Sequence, residues 1–403
     1  MQAPWLIAAA VVALGLILRG PIIAVAPVVG EIQADLGFTA AQVGLLTSVP
    51  VLCFALVTPA AAYLLARVGP DLATTLAILG VVLGVIVRSV DGAAAVVAGT
   101  LIIGAFITVG NVVVPVLIRR EVAPERARLA TALYSCSLNL GSVLGTFVTA
   151  PLADLAGWRV SLGWWALFTL AILALWLVAE GRRGLVVEAR PAAAEVVDDA
   201  ERAALRRRDR FTAALLSIAF VGQAFAYYGV SAWMPTVLED RLGFGPTEAG
   251  SAATVFQLLG IAGSIGVPLF ARRIGLLAVT VTMGVTWLAV PLGLLFAPQG
   301  WLAWSIIGGV AQGAGISLVF ILVVEIARDG KQAGRLSAVS QGVGYGFGGA
   351  TAPTVLGALH DATGAWDLPL ILIALALLLF GSLITWTVVR AAAMPAATER
   401  APA

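Results

Sequence analysis

Long apolar runs recur along the whole chain, and they constrain its fold more than any other feature. A helix needs roughly 20 mostly apolar residues to cross a bilayer. Runs of that kind lie at 4–28, 42–66, 72–89, 93–118, 130–152, 160–180, 211–236, 247–271, 276–297, 300–326, 336–359 and 368–390. Because helices satisfy their own backbone polar groups in lipid, the sequence predicts an all-α membrane protein with 12 transmembrane helices.

The composition excludes several other classes of protein. Hydrophobic residues make up 60% of the chain and charged residues 11%, whereas about a quarter of a soluble domain is charged. A net charge of +2, with no basic run interleaved with aromatic residues, gives no nucleic-acid partner. The single His360 and the cysteines Cys53 and Cys136, both in apolar runs, predict no metal site and no cofactor. We find no nucleophile–base set and no phosphate-binding loop, so the sequence does not predict an enzyme.

The basic residues orient the predicted helices. If both termini are cytoplasmic, 20 of the 24 Lys and Arg residues fall on the inner side, three fall on the outer side, and Arg19 lies within a span. Inner loops of membrane proteins carry this excess of basic residues. We therefore expect a multi-pass protein of the cell inner (plasma) membrane, in contact with membrane lipid, with both termini cytoplasmic.

The chain also repeats itself once. The segment PVVGEIQADLGFTAAQVG begins at Pro27 and PTVLEDRLGFGPTEAG begins at Pro235, and both keep P-x-x-x-E, L-G-F and a later Gly. A second matched pair begins at Arg128 and Arg335. The repeat predicts two six-helix bundles related by pseudo-two-fold symmetry. We assign 1–180 to the N-terminal bundle, 181–210 to a cytoplasmic linker, 211–390 to the C-terminal bundle and 391–403 to a disordered tail, and we expect a monomer.

Two parallel six-helix halves with a short cytoplasmic link resemble the major facilitator superfamily of transporters. The resemblance covers roughly 4–390. The loop motif typical of that superfamily, G-x-x-x-D-R-x-G-R-[KR], survives here only as Arg67 and Gly69 in AYLLARVGPD, and as Arg273 and Gly275 in the matching loop of the second half. The resemblance implies a membrane carrier with a central pathway.

A narrower resemblance is carried by the first span. The cyanate-permease and nitroimidazole-transporter branch typically begins N-x-R-P-x-x-x-x-x-x-P-x-x-x-x-I-x-x-D-L-G. This sequence matches that pattern at Arg19, Pro27, Ile32, Asp35, Leu36 and Gly37, and departs from it at Ile17 and Gly20. The segment AYYGVSAWMPTVLED at 226–240 resembles the seventh helix of the same branch. The resemblance implies cyanate, nitroimidazole or a related compound as the transported solute.

Arg19 is the most informative single residue. It lies roughly 22 Å along the first helix at 1.5 Å per residue, it cannot deprotonate, and its insertion costs about 2.5–3.5 kcal/mol. No Asp or Glu lies at mid-depth in any predicted span, and Glu180 and Glu325 fall at inner ends. Carbonyls freed by Pro21 are one possible partner of Arg19. The other is a transported anion in a water-filled cavity, which the guanidinium fork fits well.

Other polar residues deep in the spans extend the candidate substrate site. The repeat pairs Arg19 with Tyr227, and Gln223 lies one helical turn before Tyr227. The remaining candidates are Asn111, Gln312, Gln341 and Tyr345. Each glutamine or asparagine could instead be a hydrogen-bonding strut between helices, and Tyr227 could be a packed aromatic. Gly20 and Pro21 are expected to loosen the first helix, Gly141 and the glycines of 342–349 to allow close helix packing, and Arg88 to snorkel outward.

The predicted function is therefore secondary active or facilitated transport of a small anion or planar polar solute by alternating access. A multidrug or heterocycle efflux carrier of the same fold is the first alternative. A membrane sensor that binds its ligand without moving it is the second alternative, from another class of protein.

Overall fold

A computed structural model describes residues 4–121, 124–187, 207–326, 336 and 339–392 of the chain. Helices account for nearly all of these residues, and no β-strand occurs among them. This confirms the all-α prediction. Most of the predicted linker 181–210 and almost the whole predicted tail 391–403 lie outside the described residues.

The helices are numbered in chain order. The first nine are α1 (Pro4–Ile17), α2 (Gly20–Ile23), α3 (Val29–Leu36), α4 (Ala40–Leu56), α5 (Thr58–Val68), α6 (Pro70–Arg88), α7 (Ala93–Glu121), α8 (Pro124–Ala156) and α9 (Trp158–Glu180). The others are α10 (Arg207–Leu242), α11 (Pro246–Ile274), α12 (Leu276–Trp287), α13 (Ala289–Phe296), α14 (Trp301–Ile326), α15 (Ala352–Thr363) and α16 (Asp367–Ala392).

Ten helical segments in the described part of the chain are long and apolar enough to cross a membrane, or eleven if α4 and α5, bent by 59°, form one span. The predicted span 336–359 is not among them, and its helix is interrupted. Residues 339–343 are α-helical, Gly344–Gly349 form a π-helix, and α15 begins only at Ala352. Pro353 explains the interruption, because proline has no N–H to donate to the preceding turn.

Contacts between residues divide the chain into two compact units. The first unit comprises Met1–Val196 and Ala232–Thr254, and the second comprises Val197–Ser231 and Val255–Ala403. The units therefore differ from the halves of the sequence repeat, because 232–254 come from the second half but belong to the first unit. The division into bundles at 1–180 and 211–390 stays a prediction.

Close helix packing builds the first unit. A Cβ on Gly99 of α7 would lie 2.3 Å from the backbone nitrogen of Arg88, so α6 and α7 meet backbone to backbone. A Cβ on Gly141 of α8 would lie 2.2 Å from the carbonyl oxygen of Leu16. This confirms the prediction that Gly141 allows close approach. The indole rings of Trp165 and Trp176 of α9 fill the interior and are fully buried.

The first unit also joins segments from both halves of the sequence. Thr146 of α8 and Thr254 of α11 share a hydrogen bond of 2.8 Å between their hydroxyl oxygens. The Thr247 hydroxyl donates to the Asp154 carboxylate. The predicted topology places this end of α8, α10 and α11 on the outer side of the membrane. At this end, two hydrogen bonds therefore join residues from the second half of the sequence to α8, a helix of the first half.

The second unit follows the same packing principle. A Cβ on Gly313 of α14 would lie 1.8 Å from the carbonyl oxygen of Gly260 in α11, and one on Gly348 would lie 2.2 Å from the carbonyl oxygen of Val221. The glycines of 342–349 therefore include a packing contact, as predicted. Trp287 and Phe380 are fully buried in this unit. In both units many large apolar side chains remain exposed, which suits a surface that faces lipid.

Candidate substrate-binding site

Arg19 lies where the first membrane helix breaks. Helix α1 ends at Ile17, α2 begins at Gly20, and Arg19 between them has φ −133° and ψ −35°, outside helical values. Pro21 follows directly, and its missing N–H leaves one carbonyl of the preceding turn without its usual donor. The prediction that Gly20 and Pro21 loosen this helix is confirmed. Arg19 itself is half-buried.

A wholly buried tryptophan covers the break. A Cβ on Gly20 would lie 2.0 Å from Cη2 of Trp165 in α9, so only glycine fits beneath this ring. On the other side, a Cβ on Gly145 of α8 would lie 2.8 Å from the carbonyl oxygen of Gly20. The backbone around Arg19 is therefore held by packing from two helices. This packing holds the helix break, and with it the backbone of Arg19, in one position within the first unit.

Arg88 corrects one prediction. We expected it to snorkel outward from the end of α6, but it is only 1% exposed, and its Nη1 donates a 2.7 Å hydrogen bond to the carbonyl oxygen of Pro21. Carbonyls at the end of a short helix need donors from outside that helix, and Gly99 lets α7 close over the Arg88 backbone. Nε and Nη2 of Arg88 have no hydrogen-bond partner among the described residues.

The sequence therefore missed a second guanidinium beside the break. The signal for it was ambiguous, because an arginine at the end of an apolar run looks the same whether it snorkels or turns inward. Arg88 donates to Pro21, two residues from Arg19 along the chain. The first unit thus gathers two permanent positive charges around one broken stretch of helix.

Asn111 is the other predicted substrate residue of the first unit. Its Oδ1 accepts a 3.1 Å hydrogen bond from the hydroxyl of Tyr134, which joins α7 to α8. Both side chains are half-buried. The contact matches the alternative interpretation of Asn111 as a hydrogen-bonding strut between helices.

In the second unit, Gln223 bridges three helices. Its Nε2 donates to the carbonyl oxygen of Gln312 at 3.0 Å, and its Oε1 accepts from Nε1 of Trp287 at 2.9 Å. The side chain is 1% exposed. Both ends of the amide therefore contact protein groups, as expected of a strut, and the geometry favours that reading of Gln223 over direct substrate binding.

Tyr227 belongs to a short hydrogen-bonded chain. Its hydroxyl donates to Oε1 of Gln257 at 3.1 Å, and Nε2 of Gln257 donates to the Ser231 hydroxyl at 2.9 Å. All three side chains are buried. This chain links α10 to α11. It orients the Tyr227 ring, and it adds Gln257 to the buried polar groups of the second unit.

Gln312 differs from Gln223 in one respect that bears on binding. Its side chain is 3% exposed, yet its Nε2 has no hydrogen-bond partner among the described residues. The side chain lies against Gly260 of α11, where an added Cβ would come within 2.0 Å of that nitrogen. A buried amide without an acceptor is costly unless something supplies one. Gln312 therefore presents the most distinctive donor of the second unit.

Gln341 and Tyr345 lie around the start of the π-helix Gly344–Gly349, and both are half-buried. The Tyr345 ring meets Phe220 edge-on at 5.2 Å and Tyr228 edge-on at 6.1 Å between ring centroids. Tyr228 in turn meets Tyr227 at 5.1 Å. These four rings form an aromatic cluster that includes two of the predicted site residues. Such a cluster offers ring edges and faces to a flat solute.

The side chains of the candidate residues are groups that can bind a solute. Considered separately, the first unit contains the Arg19 guanidinium, and the second unit contains amide groups, phenol hydroxyls and aromatic rings. No three His, Cys, Asp or Glu side chains in the described ranges come together in a way that could hold a metal ion. The two cysteines are free thiols.

Apolar helices long enough to span a membrane, a broken first helix and polar groups buried within each unit define a polytopic membrane transport protein. The chain belongs to the major facilitator superfamily, whose family model matches residues 5–298. Proteins of this family are transporters rather than enzymes, as the sequence predicted.

Individual relatives agree with this assignment. The 2-nitroimidazole transporter of Escherichia coli (strain K12) is 31% identical over 362 residues, which cover 88% of each chain. The cyanate transport protein CynX of the same organism is 25% identical over 366 residues, or 88% of this chain and 89% of CynX. The crystal structure of the nucleoside transporter NupG aligns with a TM-score of 0.75 and 11% identity over 94% of this chain and 99% of that one. The last comparison concerns the fold alone.

Proposed function

We propose that this carrier moves a small anion or planar polar solute, of the cyanate or nitroimidazole kind, across the cell membrane by alternating access, with Arg19 as its anion-binding group. The observation that supports this most is the position of Arg19 at the break between α1 and α2. There its permanent charge lies in an apolar helix whose backbone has left helical geometry. A planar fork of N–H donors suits a small planar anion.

Within the second unit, the proposed solute-binding groups are Gln312 and Tyr227. Gln312 has a buried amide donor without an acceptor among the described residues. Tyr227 is oriented by Gln257 and lies at one end of the aromatic cluster with Tyr345. Asn111, Gln223 and Gln341 have weaker support, because the described contacts of Asn111 and Gln223 resemble those of struts.

A heterocycle efflux carrier is the second candidate function, and the aromatic cluster favours it. Flat rings stack on or against aromatic side chains, and the 2-nitroimidazole transporter is the relative of higher identity of the two whose solutes are named. The two candidates differ in what Arg19 contributes. A small anion depends on its charge, whereas a neutral heterocycle depends on the rings and on Gln312.

The test is a ligand-dependent thermal shift of purified protein with cyanate and with 2-nitroimidazole. We compare the wild type with Arg19→Ala and with Arg159→Ala. Arg159 is a matched control because it binds Asp35 and Asp91 through 2.5 and 2.6 Å ion pairs away from the helix break. We expect cyanate to stabilise the wild type and Arg159→Ala but not Arg19→Ala.

The outcomes separate the two candidates. If 2-nitroimidazole stabilises all three proteins equally and cyanate stabilises none, the carrier takes neutral heterocycles and Arg19 has another role. If cyanate stabilises Arg19→Ala as strongly as the wild type, Arg19 is not the anion-binding group. Counterflow of the stabilising compound in liposomes then distinguishes a carrier from a sensor, because only a carrier exchanges the labelled compound across the membrane.

A further inference from the structure

Three helix ends bring several charged side chains together in the first unit. Asp71 lies in the first turn of α6, Arg120 and Glu121 lie in the last turn of α7, and Glu180 is the last residue of α9. The predicted topology places all three ends on the cytoplasmic side. Asp71 and Glu180 are each only 1% exposed. Two acidic side chains are thus buried where a carrier meets the cytoplasm.

Hydrogen bonds fix the ends of α6 and α9 against each other. The chain after Glu180 forms a 3₁₀ turn, Gly181–Leu185, and its Gly184 carbonyl oxygen accepts from the Thr75 hydroxyl at 2.6 Å. The same hydroxyl accepts from Nε1 of Trp176 at 3.0 Å. Thr75 lies one helical turn after Asp71, and Trp176 lies one turn before Glu180. The two carboxyl groups are therefore held by rigid elements.

Asp71 has what an ionised carboxylate needs. Its Oδ1 forms an ion pair with Nη2 of Arg120, and the first turn of a helix favours negative charge. Burial disfavours the charge of Arg120, but its hydrogen bonds and charge interactions with Asp71 and Glu121 outweigh burial, so the pKa of Arg120 is raised above its ordinary value. Arg120 is therefore the positive partner of the Asp71 carboxyl group in this ion pair. Oδ2 of Asp71 has no hydrogen-bond partner among the described residues.

Glu180 lacks all of these supports. Neither of its carboxyl oxygens has a hydrogen-bond partner in the described part of the chain. It ends α9, where the helix dipole is negative and opposes a second negative charge. The described charged groups that act on it are Asp71 from α6, Glu121 and Arg120 from α7, and Arg183 from its own following turn. A buried carboxylate without donors is expensive, and protonation is the usual way to remove the charge.

We propose that Glu180 and Asp71 form a proton-binding site. In this site the carboxyl group of Glu180 is protonated, and its O–H donates a hydrogen bond to Oδ2 of Asp71. One proton then removes the buried charge of Glu180 and supplies Oδ2 of Asp71 with a donor. The surroundings of the two carboxyl groups differ, because Asp71 forms an ion pair with Arg120 at a helix start, whereas Glu180 ends a helix and forms no ion pair among the described residues. The proton is the ligand of this site, and the site does not depend on which solute the carrier moves.

The test is infrared difference spectroscopy of the purified full-length protein at neutral pH. A protonated carboxyl group has a C=O stretching band that neither a carboxylate nor an amide shares. We expect the spectrum of the wild type minus that of Glu180→Gln to contain this band. Glu121→Gln is the matched control, since Glu121 belongs to the same group of charges but already accepts from Nε of Arg120 at 2.5 Å. The wild-type spectrum minus that of Glu121→Gln should lack the band.

Thermal unfolding of two amide variants provides an independent readout. Glutamine has the shape of a neutral glutamic acid side chain. The Glu180→Gln protein should therefore fold, and its unfolding temperature should equal that of the wild type. Asparagine cannot replace an ionised Asp71, so Asp71→Asn should unfold at a lower temperature, because Arg120 loses its buried partner. No carboxylic-acid band in the first difference spectrum would overturn the proposal. A Glu180→Gln protein that fails to fold would overturn the proposal too, because a site that holds a neutral carboxyl group should accept a neutral amide of the same shape.

Discussion

At the scale of single residues, two buried glutamines of the second unit behave differently although the sequence treats them alike. Gln223 contacts protein at both ends of its amide, through Trp287 and the Gln312 carbonyl. The Gln312 side chain leaves its Nε2 without an acceptor among the described residues. We therefore expect Gln223 to contribute to stability and propose Gln312 as the group that contacts a solute.

Replacing each glutamine by leucine should separate these roles. Gln223→Leu leaves the indole N–H of Trp287 without its acceptor and removes a donor to the Gln312 carbonyl, so we expect the free energy of unfolding to fall by about 1–3 kcal/mol. Gln312→Leu removes no described hydrogen bond of its side chain, so its stability should match that of the wild type. Its affinity for the transported compound should fall about fivefold, the equivalent of one hydrogen bond of about 1 kcal/mol.

Denaturant unfolding and equilibrium binding measure the two effects on the same preparations. The assignment of Gln312 is wrong if Gln312→Leu loses stability and keeps its affinity. A Gln223→Leu protein that is as stable as the wild type would show that the two interhelical bonds add nothing.

At the scale of elements, the first helix shows how far the sequence could predict the structure. Gly20 and Pro21 predicted a local loosening because their effect on a helix is intrinsic to the residues, and the break between Ile17 and Gly20 confirms it. The apolar runs and the glycine packing were readable for the same reason. These properties depend on residue type and local spacing.

The partners of that break could not be read from the sequence. Trp165 and Arg88 reach it from α9 and α6, far away along the chain, and apolar runs give no sign of which face of a helix meets which neighbour. The sequence repeat also does not extend to the breaks in the helices. Helix α10 is continuous from Arg207 to Leu242 although α1 is broken, because Gly229 stands where Pro21 stands in the first half. The interrupted span before Pro353 has an unbroken counterpart in α8.

Gly20 provides a direct test of the packing at the break. Gly20→Ala places a methyl group 2.0 Å from the wholly buried Trp165 ring, so we expect unfolding to become easier by about 1–3 kcal/mol. Gly30→Ala is the matched control, because nothing lies within 4 Å of its added Cβ and it sits inside α3. That variant should be as stable as the wild type or gain about 0.5–1 kcal/mol. Equal unfolding temperatures for the two variants would refute the close contact between Gly20 and Trp165.

At the scale of the whole molecule, the proposed alternating access requires the two halves of the sequence repeat to move against each other. The first unit contains a bond that such a movement must break. Thr146 of the first half and Thr254 of the second half share a 2.8 Å hydrogen bond at the predicted outer ends of α8 and α11. Ser217 and Ser340, both from the second half, share a comparable bond of 3.2 Å.

Covalent cross-links at these two places should have opposite effects on transport. In a background without Cys53 and Cys136, oxidised Thr146→Cys/Thr254→Cys should lose transport in liposomes and regain it with a reductant, because the disulfide holds second-half residues to first-half helices. Oxidised Ser217→Cys/Ser340→Cys should transport at the rate of its reduced form, because both cysteines move with the same half. Undiminished transport by a fully cross-linked Thr146→Cys/Thr254→Cys protein would mean that these ends need not separate. The halves would then not rock about this contact.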